Sequence, residues 1–109
     1  MITQNIKKIS PKNLKDGDLI LDVRTIEEVA KKCIAMPFLH EDSATINVSD
    51  FIKKHKLDKN KTLNVLCRSG KRALDVAKKI FEEGYKNIQV IEGGIEQAEK
   101  DGIKVIIKK

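Results

Sequence analysis

The stretch "TLNVLCRSGKRALDVAKKIF", Thr62–Phe81, decides the fold. Thr62–Leu66 is a short apolar run that reads as a buried strand, and Cys67 ends it. From about Lys71 to Glu83, the apolar positions Leu74, Val76, Ala77, Ile80 and Phe81 fall at helical spacing, so a helix follows at once. Gly84 supplies its C-terminal stop. A strand that turns tightly into a helix is the repeating unit of α/β proteins with a largely parallel sheet.

The same alternation extends outward on both sides. Upstream, Lys7–Ile9 reads as a short strand. Ser10-Pro11 reads as a cap opening a brief helix near Asn13–Lys15, and Asp16-Gly17 as a turn. Asp18–Val23, "DLILDV", is a buried strand. Thr25 then begins "TIEE", a capping box closed by Glu28, and its helix runs to about Lys32. Cys33–Val48 reads mostly as loop, with a short strand near Thr45–Val48. Ser49 caps a helix from Asp50 to about His55, and "DKNK" is a turn. Downstream, Asn87–Ile91 is a third strand. Gly93-Gly94 turns into a helix, Ile95–Lys100, that stops at Gly102, and Ile103–Ile107 reads as a terminal strand. The expectation is one α/β domain over residues 1–109, with a central, mostly parallel sheet of about five strands and helices on both faces. Ligands of such sheets sit beyond the carboxyl ends of the strands, where Cys67 lies.

Composition narrows the function. The 109 residues suffice for one compact domain. The formal net charge of +6 suits anionic small molecules, an acidic partner or nucleic acid. Most lysines, such as Lys53–Lys54, Lys78–Lys79 and Lys108–Lys109, fall on solvated helix faces or tails. No nucleic-acid motif or aromatic platform accompanies them, so no nucleic-acid partner is expected. Cys33 and Cys67 are distant and in unlike settings, which argues against a disulfide framework or a metal site. No signal peptide opens the sequence and no run nears the ~18 apolar residues of a membrane span. A reducing, cytoplasmic setting without membrane or cofactor is the expectation.

The turn "CRSGKR", Cys67–Arg72, carries the chemistry. A helix start offers unpaired N–H groups and a positive dipole end. Gly70 lets the amides converge, and Arg68, Lys71 and Arg72 add positive charge. Such a setting stabilises a thiolate and attracts an anion, which is what nucleophilic attack by sulfur on an anionic substrate requires. Cysteine phosphatases place an arginine six positions after the cysteine. Here that position is Ala73, and Arg72 stands five positions after. The tighter ring suits one extra sulfur on Cys67 better than a tetrahedral oxyanion.

"CRSGKR" resembles the C-x-x-G-x-R loop of the single-domain rhodaneses. "LILDVRTIEEVA", Leu19–Ala30, resembles their D-V-R-x-x-x-E-[FY] segment, and Gly84–Val105 resembles their closing segment with Gly93-Gly94. The likeness spans roughly residues 8–106. It implies a rhodanese-like fold and a thiosulfate:acceptor sulfurtransferase. Cys67 would take sulfane sulfur as a persulfide and pass it to cyanide, a thiol or a protein acceptor. The amides from Arg68 through Ser69 and Gly70 to about Ala73 would cradle the persulfide. Arg72, with Lys71 or Arg68, would hold the anionic donor. Asp22 and Arg24, matching D-V-R, would be a buried ion pair or hydrogen-bond anchor. A second reading keeps the persulfide chemistry but makes the domain a carrier or redox sensor for a protein partner.

The departures are local. Where the family has G-H-I-P-G-A, this chain has "KKCIAMPFL", with Cys33 at the histidine position. Ala98 replaces a tryptophan and Lys104 a proline. Cys33 reads as a small packed residue at a helix end, with a resolving thiol as the alternative. His40 reads as an exposed loop histidine, and His55 as a group that satisfies helix-end carbonyls. Gly93-Gly94 reads as a tight turn without a ligand.

Overall fold

A computed structural model describes residues 6–108, so Lys109 of the basic tail lies outside it. The elements in order are β1 (Lys7–Ile9), β2 (Leu19–Asp22), α1 (Ile26–Lys31), β3 (Lys32–Ile34), β4 (Leu39–His40) and α2 (Val48–Lys54). Then follow β5 (Leu63–Leu66), α3 (Lys71–Glu82), β6 (Ile88–Ile91), α4 (Gly94–Lys100) and β7 (Val105–Ile107). Five strands form an all-parallel sheet in the order β1-β6-β5-β2-β4, as the alternating pattern predicts. Leu19–Asp22 pairs in register with Leu63–Leu66, and Leu63–Val65 with Ile88–Val90, so β5 runs down the middle.

Strand alternation sorts the side chains onto two faces. Leu63 and Val65 of β5, with Cys67 just beyond it, join Leu21, Val23 and Val90 beneath α2 and α3, where Phe51, Val76, Ala77 and Ile80 close the core. Ile20, Leu66 and Ile91 point the other way and pack with Ile34 and Ile95. Asn64 falls on that second face. It is tolerated there because its amide donates to Leu19 O (3.1 Å) and its oxygen accepts from Gln89 (2.7 Å). Buried Tyr85 ties down the "DKNK" turn by aiming its hydroxyl at the carbonyls of Asp58 and Lys61.

Four stretches differ from the sequence reading. The early helix is a 3-10 turn at Pro11–Asn13 rather than Asn13–Lys15, although Ser10 still caps it by accepting from Lys12 N. Within Cys33–Val48 the strands are β3 and β4, not Thr45–Val48. Each is short and is held by a partner distant in sequence, β7 and β2 respectively. Cys33 is therefore a strand residue, buried opposite Ile106, rather than a helix end. Helix α2 starts at Val48, because Asn47 rather than Ser49 accepts from Asp50 N (3.0 Å). The terminal strand is confined to Val105–Ile107 and runs antiparallel to β3, outside the main sheet. Among the described residues, no helix is long and apolar enough to cross a membrane.

Candidate functional site

β5 delivers Cys67 to the carboxyl end of the central strand, where the sheet stops and α3 begins. Cys67 continues the inward alternation of Leu63 and Val65, so its side chain is recessed, at 1% exposure. The chain then reverses through Gly70, whose φ of 110° is left-handed and suits glycine. That reversal brings the Gly70 N–H back to donate to Cys67 Sγ at 2.9 Å. The thiol thus sits inside a turn whose amide points at sulfur, directly before a twelve-residue helix.

The cations divide. Lys71, the first residue of α3, is exposed, as are Arg68 and Ser69 on the rim. Arg68 Nε meets Glu96 of α4 at 3.2 Å in an open ion pair. Arg72, expected to hold the anionic donor, is half-buried and paired with Glu28. Its two terminal nitrogens donate to the two carboxylate oxygens of Glu28, at 2.7 and 2.9 Å. The physical reason is geometric: a planar guanidinium matches a carboxylate in a two-bond fork. Glu28 also accepts from Thr25 N at 3.1 Å in the capping box, so α1 braces the start of α3 through one side chain. This brace joins residues 44 apart in sequence, and only the glutamate of the D-V-R-x-x-x-E segment signals it.

The brace is electrostatically strong. Arg72 holds the Glu28 carboxyl down to about 2, below its usual 4.5, against the opposing effect of burial and with help from Thr25. Glu28 in turn raises the Arg72 guanidinium above its usual value, while burial lowers it. Coulombic effects from Glu28, Cys67 and Asp22 add to the rise. Because the folded carboxyl lies below the unfolded one, the pair's contribution is fully present above pH 4.5 and is lost as pH falls toward 2. Glu28→Gln is expected to lower stability by about 1 kcal/mol near pH 7, a figure discounted because the pair is partly exposed. The gap from the parent protein should close between pH 4.5 and 2. Thermal melts across that range measure both effects.

Asp22 and Arg24 form the buried pair expected of them. Both lie below 4% exposure, with Arg24 Nη2 to Asp22 Oδ2 at 2.8 Å and Arg24 Nε within 3.1 Å of both carboxylate oxygens. Arg24 Nη2 also donates to Lys32 O at 2.8 Å, holding the junction of α1 and β3. His40 is not an exposed loop residue. It ends β4 half-buried, and its Nε2 lies 2.7 Å from Arg24 O, so that nitrogen carries the proton. The His55 ring does not satisfy helix-end carbonyls. It packs against Phe51 with centroids 5.1 Å apart, and its Nε2 is buried without a partner.

Two hollows flank the turn. One, of about 310 Å³, lies between Lys8, Ser69, Gly70, Lys71 and Glu92. The other, of about 330 Å³, lies between Glu28, Lys31, Lys32, Arg68 and Glu96. A larger hollow of about 360 Å³ at the opposite end of the sheet, by Lys15, Lys61 and Asn64, holds no thiol.

Comparison with known proteins shows the family and the fold. The model of the rhodanese-like domain matches residues 8–101. A Bacillus subtilis protein named "Putative sulfurtransferase YtwF" is 38% identical over 97 residues, spanning 83% of this chain and 87% of that one. A Helicobacter pylori protein of known solution structure superposes with a TM-score of 0.72 at 27% identity, covering 93% of this chain and 89% of its own. The crystal structure of a rhodanese-related protein from Thermoplasma volcanium superposes with a TM-score of 0.69 at 27% identity, covering 94% and 99%.

Proposed function

The chain belongs to the rhodanese-like domain family, and from that premise we propose that it is a sulfurtransferase carrying sulfane sulfur on Cys67. The observation that carries this reading is the Gly70 N–H donated to Cys67 Sγ at 2.9 Å, inside a turn rimmed by Arg68 and Lys71. An amide aimed at sulfur favours the anionic forms that the reaction passes through.

In the first step the Cys67 thiolate attacks the outer sulfur of thiosulfate. A Cys67–sulfur bond forms, the sulfur–sulfur bond of thiosulfate breaks, and sulfite leaves with the electron pair. In the second step an acceptor thiolate, or cyanide, attacks the outer sulfur of the persulfide. Cys67 Sγ departs with the electron pair and is restored. No electrons are gained or lost overall, and neither metal nor organic cofactor enters. Lys71 and Arg68 meet the donor anion, while Arg72 acts by its charge and holds the loop through Glu28. The amides of Ser69 and Gly70 complete the cradle. The exposed rim of Arg68, Ser69 and Lys71 also supports a second reading, in which the acceptor is a protein thiol and free turnover is slow. Both cysteines are free, which suits a reducing, cytoplasmic setting.

The test is the intact mass of the reduced protein after exposure to thiosulfate. The expected result is a gain of one sulfur, lost again on adding cyanide. No gain, with Cys67 still open to alkylation, removes thiosulfate as donor and leaves a partner-supplied persulfide.

A further inference from the structure

The amino end of α4 lies against the start of the Cys67 turn. Ile95 N donates to Cys67 O at 2.8 Å and Glu96 N donates to Arg68 O at 3.3 Å. These are amides of the first helical turn, which have no carbonyl partner inside α4. The approach depends on Gly94. Its φ is 62°, and a Cβ there would fall inside contact distance of the Cys67 and Arg68 carbonyl oxygens, both backbone atoms that cannot swing aside.

Those two bonds fix more than two carbonyls. In a trans peptide the C=O of one residue and the N–H of the next point in opposite directions, and every described peptide bond is trans. Pinning Cys67 O to α4 therefore turns the Arg68 N–H away from α4, and pinning Arg68 O does the same for the Ser69 N–H. Gly70 N already reaches Sγ. We propose that the Gly93-Gly94 turn and the first amides of α4 are the positioning element of the sulfur cradle. They set the direction of the Arg68 and Ser69 amides, so that these, with Gly70, face the Cys67 sulfur. The inference rests on the sulfur-carrier reading of Cys67. It assigns Gly94 and the Glu96 amide a part in that function, although neither touches the reacting atoms.

Two pairs of variants test it. Gly94→Ala places a methyl group against the loop. Gly102→Ala strains another left-handed glycine, φ 87°, with nothing within 4 Å of the added carbon. Glu96→Pro, in the first turn of α4, deletes the N–H that meets Arg68 O and turns a ring carbon toward that carbonyl. Glu96→Ala removes only the ion pair with Arg68. Persulfide loading from thiosulfate should fall by at least about 100-fold in folded Gly94→Ala, the scale of a 1 Å misplacement. It should fall at least about tenfold in Glu96→Pro, the equivalent of one hydrogen bond with the ring's contact adding to it. Gly102→Ala should load like the parent, and Glu96→Ala, which keeps the main-chain N–H and frees Arg68, should load about tenfold faster than Glu96→Pro.

Should Gly94→Ala fail to fold, the proline and alanine pair at Glu96 still decides the matter. Should the parent itself not load, the thiosulfate reading fails while this one remains measurable. The rate at which iodoacetamide alkylates Cys67 should drop in Glu96→Pro and not in Glu96→Ala. Equal loading and equal alkylation in the folded proline and alanine variants would overturn the proposal.

Discussion

Cys67→Ser protein, supplied with thiosulfate and a thiol, is expected to release sulfite at least about 10⁴-fold more slowly than the parent, because loss of a nucleophile removes the step itself. The effect should be chemical rather than structural. A serine hydroxyl can accept the Gly70 N–H that now meets sulfur at 2.9 Å, so the turn keeps its closing bond. The stability change should stay near 1 kcal/mol, the usual scale for exchanging one hydrogen-bonded group. Cys33→Ser supplies the contrast. Cys33 lies in β3 opposite Ile106 at 5% exposure, packed rather than presented, and its loss should leave sulfite release intact. Measured sulfite release and mass gain separate the outcomes. Persistent release in the Cys67 variant, abolished by the Cys33 change, would move the carrier to the other thiol and end the present reading.

What the sequence revealed, and what it hid, follows one physical line. The strands at Leu19–Asp22 and Leu63–Leu66 were legible because central parallel strands are buried on both faces and read as continuous apolar runs. The capping box at Thr25 and Glu28 was legible because its parts are three residues apart. β3 and β4 were not, since "KCI" and "LH" have no pattern of their own and exist through pairing with Val105–Ile107 and Leu21–Asp22. The start of α2 was misplaced by two residues because Asn47 and Ser49 are both good caps, and only the fold selects between them. At the site, Cys67 and Gly70 stand within one turn and could be read together. The fork between Arg72 and Glu28 bridges separate helices, so the arginine's availability to a donor could not be. The contact of α4 with the Cys67 and Arg68 carbonyls was harder still, because backbone acceptors carry no residue signature beyond the two glycines that permit the approach.

Arg24→Met should be among the most destabilising single changes in this protein, lowering stability by about 3–5 kcal/mol, the range for stripping one partner from a buried ion pair. Asp22 has no exposed surface, so it cannot recover water when the guanidinium goes. Its remaining partner on this segment is the Arg24 main-chain N–H at 3.0 Å, which a methionine retains. The carbonyl of Lys32 loses its donor too, which loosens the point where α1 passes into β3 and thence the ribbon with β7. Removing both charges should cost less than removing one. With Asp22→Asn in addition, the carboxylate is neutral and the penalty of an unpaired charge disappears, leaving about 1–3 kcal/mol for imperfect packing and unmade hydrogen bonds. Urea denaturation of the two single variants and the double variant gives the coupling directly. A fully additive result would mean that Asp22 and Arg24 stabilise the fold independently, and the pair would then be an anchor for its neighbours rather than for itself. The expected outcome, strong coupling, makes the D-V-R segment a support laid under the site. Val23 N donates to Leu66 O, one residue before Cys67, so the strand carrying this buried pair is also hydrogen-bonded to the strand that presents the thiol.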